Sequence, residues 1–183
     1  MKRILFYISG HGFGHAARSA EVIRALGEEH PAIDVLVATS APKRLFAALP
    51  DVVGDVTDLD IDTGVVEGGS ALSVDRHATV ARLAEFMRDS DEVVAAEADR
   101  VRREKISLIV ADIPYLAGEI AERADVPCVA IGNFTWDWIY EPYLSEAPYG
   151  QALLARIRRA YGKMSCYLRL PFSHDTELFE RVI

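Results

Sequence analysis

SGHGFGHAAR, residues 9–18, stands between an apolar run and a helix-like run, and that placement decides how the chain is built. Before it, KRILFYI is short and rich in β-branched and aromatic residues, the pattern of a strand buried on both faces. After it, HAARSAEVIRALGEEH puts Ala16, Ala20, Ile23 and Gly27 on one helical face, with Val22 and Leu26 alongside. The glycines therefore form a strand-to-helix turn. Gly10, Gly12 and Gly14 are expected to supply positive φ and close backbone approach, and the helix that follows offers unpaired N–H groups to an anion or a polarised oxygen. His11 and His15 lie inside the turn, and His15 opens the helix, where a neutral ring can take a proton.

Composition limits what such a turn can serve. The chain has 183 residues, half of them hydrophobic, which is enough for a sizeable single core. Its formal charge of -8 argues against nucleic acid as a partner, since phosphate contacts need concentrated Lys and Arg. The two cysteines, Cys128 and Cys166, sit in apolar runs without metal-type spacing and read as buried thiols of a reducing compartment. The apolar run at the start leads straight into the glycine turn, unlike a secretory signal, and no stretch is long enough to span a membrane. A cytoplasmic location is the expectation.

The alternation continues along the chain. IDVLVATS (33–40) reads as a strand, PKRLFAALP as a short helix ended by Pro50, and DVVGDVTDLDI as a less regular strand. DTGVVEGGSALS is a glycine-containing loop of a length that often carries function. From Asp75 to about Lys105, Val80, Leu83, Ala84, Met87, Val94, Ala98 and Val101 recur at helical spacing. ISLIVADI is a strand ending at Asp112; a helix opened by Pro114 runs through Ala124, and PCVAIGN is the next strand. FTWDWIYEPYL is aromatic and unassigned, QALLARIRRAYGK is a basic amphipathic helix, and SCYLRLPF can add a last strand. The expected fold is α/β, a Rossmann-like, doubly wound and mostly parallel sheet with helices on both faces. Ligands bind such sheets beyond the carboxyl ends of the strands, so the glycine turn, Asp112 and Asn133 should share one crevice.

Familiar motifs do not account for the turn. A dinucleotide fingerprint counted from Gly10 needs a glycine where His15 stands, and the second strand ends in Thr39 and Ser40, without an acid for a ribose hydroxyl. No Gly-Lys-Ser/Thr follows, which removes the P-loop. His11 and His15 alone are too few ligands for a metal. Neither metal nor cofactor is expected.

Three stretches in order, GHGFGHAAR, DTGVVEGGSALSVDR and VADIPYLAGEIAERADVPCVAIGNFTWDWIY, resemble the glycosyltransferase-like N-terminal region of plant L-arabinokinases and their bacterial homologues. More distantly, they resemble the N-terminal half of GT-B glycosyltransferases, including those that add N-acetylglucosamine to a lipid-linked peptidoglycan precursor. The resemblance runs through RLPF near the end of the chain. It implies one half of a GT-B fold: residues 1–170 as a Rossmann-like, acceptor-side domain and 171–183 as the start of a connection to a C-terminal donor-binding domain that this chain lacks. The implied partners are a nucleotide-sugar donor, held mainly by that other half, and a hydroxyl-bearing acceptor. The implied activity is inverting, metal-independent sugar transfer; the alternative is a non-catalytic sugar or sugar-phosphate binding module associated with a sugar kinase.

The resemblance also distributes roles. His15 matches the histidine that removes the acceptor proton, and Asp112 matches the acid that orients it. Without the resemblance, His15 reads as a helix-start residue bonding to backbone and Asp112 as a helix N-cap ahead of Pro114. Gly10, His11, Gly12 and Gly14 could cradle phosphate oxygens, Phe13 could wall the pocket, and Arg18 could reach a phosphate. Asn133, Trp136 and Asp137 are candidate sugar contacts, although aromatic residues more often pack in cores. The basic helix reads as solvated, with an anionic membrane surface as the minor alternative. His30, His77 and His174 receive no role.

Overall fold

Strand β1 (Lys2–Ile8) is buried from Ile4 onward, and its alternating side chains divide the core in two. Ile4, Phe6 and Ile8 face one side, where Ala16, Ala20 and Ile23 of helix α1 (Phe13–Glu29) cover them. Leu5 and Tyr7 face the other, under Val80, Leu83, Met87 and Ala98 of α2 (Arg76–Arg103). A strand covered on both faces explains the continuous apolar run. Each large side chain so buried stabilises the fold by roughly 1.5–3 kcal/mol.

The computed structural model describes residues 2–49, 52–69 and 73–183. The remaining strands are β2 (Ile33–Ala38), β3 (Val53–Thr57), β4 (Ile106–Asp112), β5 (Cys128–Gly132) and β6 (Cys166–Arg169). They form one sheet, all parallel, in the order β3-β2-β1-β4-β5-β6. Helices α3 (Leu116–Ala124), α4 (Trp136–Leu144) and α5 (Gly150–Tyr161) join α2 on one face, while α1 and a 3₁₀ turn over Lys43–Phe46 hold the other. The chain is thus a Rossmann-like α/β domain, as its alternating pattern predicts. Strand order reverses between β1 and β4, so a crevice opens beyond their carboxyl ends.

Local departures have physical causes. The helix expected over PKRLFAALP is only the 3₁₀ turn, and Pro50, its expected stop, lies outside the described residues, as do Asp51 and Ser70–Leu72 of the following stretches. The aromatic segment left unassigned is α4, which keeps its helix although Pro142 stands inside it. Helix α2 starts where its cap dictates: the Asp75 side chain accepts from Ala78 N at 2.9 Å. Helices α3 and α5 approach closely at Gly118, where a Cβ would lie 2.0 Å from the Ala160 carbonyl oxygen. Residues 181–183 pair with β6 in parallel, Tyr167 N donating to Arg181 O at 2.9 Å, and Phe179 stacks on the Tyr167 ring at 4.8 Å. No described helix is long and apolar enough to cross a membrane.

Candidate active site

The glycine turn does its work through unequal glycines. Only Gly12 has positive φ, at 83° with ψ 155°, and it is the N-cap of α1, with no side-chain cap bond. Gly10 serves by size: a Cβ there would fall 2.0 Å from Ser40 Oγ. Gly14 has open space around it and ordinary helical φ, which corrects the expectation of three positive-φ glycines. Phe13, the first residue of α1, is 61% exposed.

One turn into α1, three side chains converge on Asp112 at the end of β4. His15 Nδ1 lies 2.8 Å from Asp112 Oδ1, Ser19 Oγ donates to Oδ2 at 2.7 Å, and Arg18 Nε donates to Oδ2 at 3.0 Å. Arg18 Nη2 also donates to Oδ1. The carboxylate is fully buried, and Arg18, with 26% of its side chain exposed, is its permanent countercharge. Asp112 is therefore not a helix N-cap; α3 begins after Tyr115, without a side-chain cap. Burial works to raise the Asp112 pKa, but the His15 and Arg18 hydrogen bonds and charges outweigh it and hold the carboxyl below its usual range.

This arrangement selects the His15 tautomer. Arg18 Nη2 is also 3.1 Å from His15 Nδ1, but an arginine nitrogen only donates, and a lone pair on Nδ1 would then face the carboxylate oxygen. Nδ1–H donating to Asp112 Oδ1 removes that repulsion, and Arg18 Nη2 donates to the same carboxylate oxygen instead of to the ring. The neutral ring then carries its lone pair on Nε2, which makes no hydrogen bond among the described residues and is not sealed from solvent. The site can therefore accept a proton at Nε2 and stabilise the charged ring through Asp112.

Other predicted residues gather around this pair. Arg18 Nη1 reaches Asn133 Oδ1 at 3.5 Å, and the Phe134 ring meets His15 edge-on at 5.5 Å. Phe134 contacts Trp136 at 5.2 Å, and Trp136 contacts His11 at 5.9 Å, each edge to face. Trp136 is buried rather than open to solvent, with its Nε1 donating to Asp62 Oδ2 at 2.8 Å. Asp137 is not part of the cluster: its Oδ2 accepts from Arg158 Nε at 3.0 Å, tying α4 to α5. Exposed Trp138 stacks on His174 at 4.7 Å, and His174 Nε2 meets Thr135 Oγ1 at 3.2 Å, a structural role the sequence did not show.

Sequence reasoning missed Ser19 and a second buried carboxylate, Asp62. Ser9 Oγ donates to Asp62 Oδ1 at 3.1 Å, and His11 Nε2 lies 3.1 Å from Asp62 O and 3.3 Å from Oδ1. Asp58 and Asp60, four and two residues earlier, are exposed, so nothing local distinguishes Asp62. Only a search for partners of the two histidines would have raised it.

Comparison with known proteins bears on the family and the fold. L-arabinokinase of Arabidopsis thaliana is 32% identical over 182 residues, covering 97% of this chain and 17% of that protein. CalG4, the calicheamicin glycosyltransferase, superposes with a TM-score of 0.57 at 15% identity, over 97% of this chain and 52% of that one. UGT2 of Phytolacca americana, complexed with UDP-2fluoro-glucose and pterostilbene, gives 0.55 at 13% identity, over 92% and 48%. The two solved structures share the fold, and the chain spans 17% of the L-arabinokinase and about half of each solved chain. A family model described as glycosyl transferase family 1 matches residues 2–173, a span that holds the glycine turn, both histidine–aspartate pairs and the whole sheet, and the chain belongs to that family.

Proposed function

We propose that this chain is the acceptor-side half of an inverting, metal-independent glycosyltransferase, which moves a sugar from a nucleotide-sugar donor to a hydroxyl acceptor. The observation that carries the reading is the His15–Asp112 pair at 2.8 Å, which leaves Nε2 without a hydrogen-bond partner among the described residues and not sealed from solvent. In the reaction, His15 Nε2 takes the acceptor hydroxyl proton as that oxygen bonds to the anomeric carbon. The bond from that carbon to the nucleotide phosphate breaks, and the phosphate leaves with the electron pair. One such displacement inverts the anomeric centre. Asp112 stays ionised because Arg18 and Ser19 hold it, and it stabilises the imidazolium; proton removal of this kind is worth about 10²- to 10⁴-fold in rate. Both Asp112 oxygens are engaged by protein donors, which supports a side-chain base over a metal-bound one.

The nucleotide-sugar donor is assigned mainly to a second Rossmann-like half, beyond the half-length that this chain shares with CalG4 and UGT2. Cys128 and Cys166, free and buried, go with a cytoplasmic setting. A second reading rests on the relative that is a kinase by name: the chain acts as a sugar or sugar-phosphate binding module regulating an associated sugar kinase.

Sugar transfer by a form carrying both halves, wild type against His15→Ala, with calorimetric titration of nucleotide sugars, tests the two. Loss of transfer by about 10²-fold or more with donor binding retained supports the first reading. Undiminished transfer removes His15 as the base. Absence of donor binding in the wild type favours the regulatory module.

A further inference from the structure

The turn carries two histidine–aspartate pairs, and their carboxylates are compensated differently. Asp112 has Arg18 as a permanent cation. Asp62, whose side chain is 1% exposed, accepts from Ser9 Oγ and Trp136 Nε1, and no Lys or Arg among the described residues forms an ion pair with it. Its one ionisable partner is His11. A buried carboxylate is costly to leave without a countercharge, and His11 is the group placed to supply one to Asp62.

The geometry then fixes which nitrogen is left free of Asp62. His11 Nε2 lies between the Asp62 carbonyl and carboxylate oxygens, both acceptors, and carries a proton in either charge state. The proton that charges the ring is therefore on Nδ1. That atom makes no hydrogen bond among the described residues, and 26% of the side chain is exposed. Gly64 seats the ring: its φ is 62°, and a Cβ there would lie 2.5 Å from His11 Cγ. The charged groups acting on His11 are Asp62 and, from α2, Arg82. Burial and Arg82 both oppose the charged ring, yet Asp62 outweighs them and the His11 pKa is raised.

We propose that His11 Nδ1–H is a specificity contact of the crevice, donating to an oxyanion on the acceptor, either phosphate or carboxylate, so that an anionic acceptor is preferred to its neutral counterpart. The two histidines then have opposite duties: His15 accepts a proton from the reacting hydroxyl, and His11 donates to a fixed anionic group. Arg82, exposed and without an ion pair among the described residues, adds to the attraction. The proposal rests on the crevice being the acceptor side.

The test is a nuclear magnetic resonance titration of the whole chain with glucose 1-phosphate, glucuronate and glucose, following the imidazole nitrogens. At about pH 6.5, where an unperturbed histidine is half charged, His11 should be mainly protonated on both nitrogens. At least one anionic probe should bind about 10-fold or more tightly than glucose, and His11→Gln should weaken that probe about 10- to 100-fold. The tighter anionic probe identifies the oxyanion as phosphate or carboxylate. Equal binding of all three sugars, undiminished binding in His11→Gln, or an uncharged His11 in the wild type would each overturn the proposal. Because the charge state is read on the wild type, the outcome does not depend on the variant folding. Anion binding that His11→Gln removes would stand even if His15→Ala left transfer intact, a result that ends the transfer reading alone.

Discussion

His15 and Asp112 are 97 residues apart in sequence, and Nδ1 of one lies 2.8 Å from Oδ1 of the other. The sheet makes this meeting: β1 and β4 are neighbours, and the helix that leaves β1 starts over the end of β4. Ser9 N continues the pairing past the strand by donating to Asp112 O at 2.8 Å. A residue at the start of α1 and one at the end of β4 are thus held by the sheet itself.

Arg18 is predicted to stabilise the fold as well as the site. Replacing it with Met leaves Asp112 buried with no permanent cation, at an expected cost of about 3 kcal/mol. Urea denaturation measures it. A loss below about 0.5 kcal/mol, the range of an ordinary surface change, would mean that His15 and Ser19 suffice.

Stability should respond to pH at two ends. The folded Asp112 pKa is lowered, so its contribution is complete above the unfolded carboxylate value of about 3.9 and is lost as pH falls through the folded value. The folded His11 pKa is raised, so its contribution is complete below about pH 6.5 and is lost as pH rises through the folded value. Denaturation across pH should show both slopes, with Asp112→Asn flattening the acid one and His11→Gln the alkaline one. A variant that keeps the slope assigned to its own residue would refute that assignment.

The glycines of the turn should separate by mutation. Gly12 occupies a backbone region that is essentially reserved for glycine, and Gly12→Ala should cost about 1–3 kcal/mol. Gly14 is helical with open space, and Gly14→Ala should be neutral or stabilise by up to about 1 kcal/mol. Thermal melts of the two variants decide it; equal losses would contradict the assignment.

The sheet was legible because its signal is periodic and strong: KRILFYI, IDVLVA and ISLIVAD are near-continuous apolar strands, and α2 keeps its helical spacing from Val80 to Val101. The His15–Asp112 pair was legible only through resemblance, since by themselves a helix-start histidine and an acid before Ile-Pro have plainer uses. Asp62 and Ser19 were not legible. Asp62 stands in an acidic stretch with Asp58 and Asp60, and what separates it is burial beneath Trp136, a contact made across 74 residues. Helix α4 was hidden by Pro142, which by local rules breaks helices.

Which nitrogen of His15 is free decides whether the ring can take the acceptor's proton. A long-range ¹H–¹⁵N correlation spectrum of the chain, recorded well above the ordinary histidine midpoint of about 6.5, reads the tautomer directly. The predicted result is a proton on Nδ1 and a lone pair on Nε2, with Asp112→Asn removing that preference. A proton on Nε2 in the wild type would contradict the assignment of His15 as the group that takes the acceptor's proton.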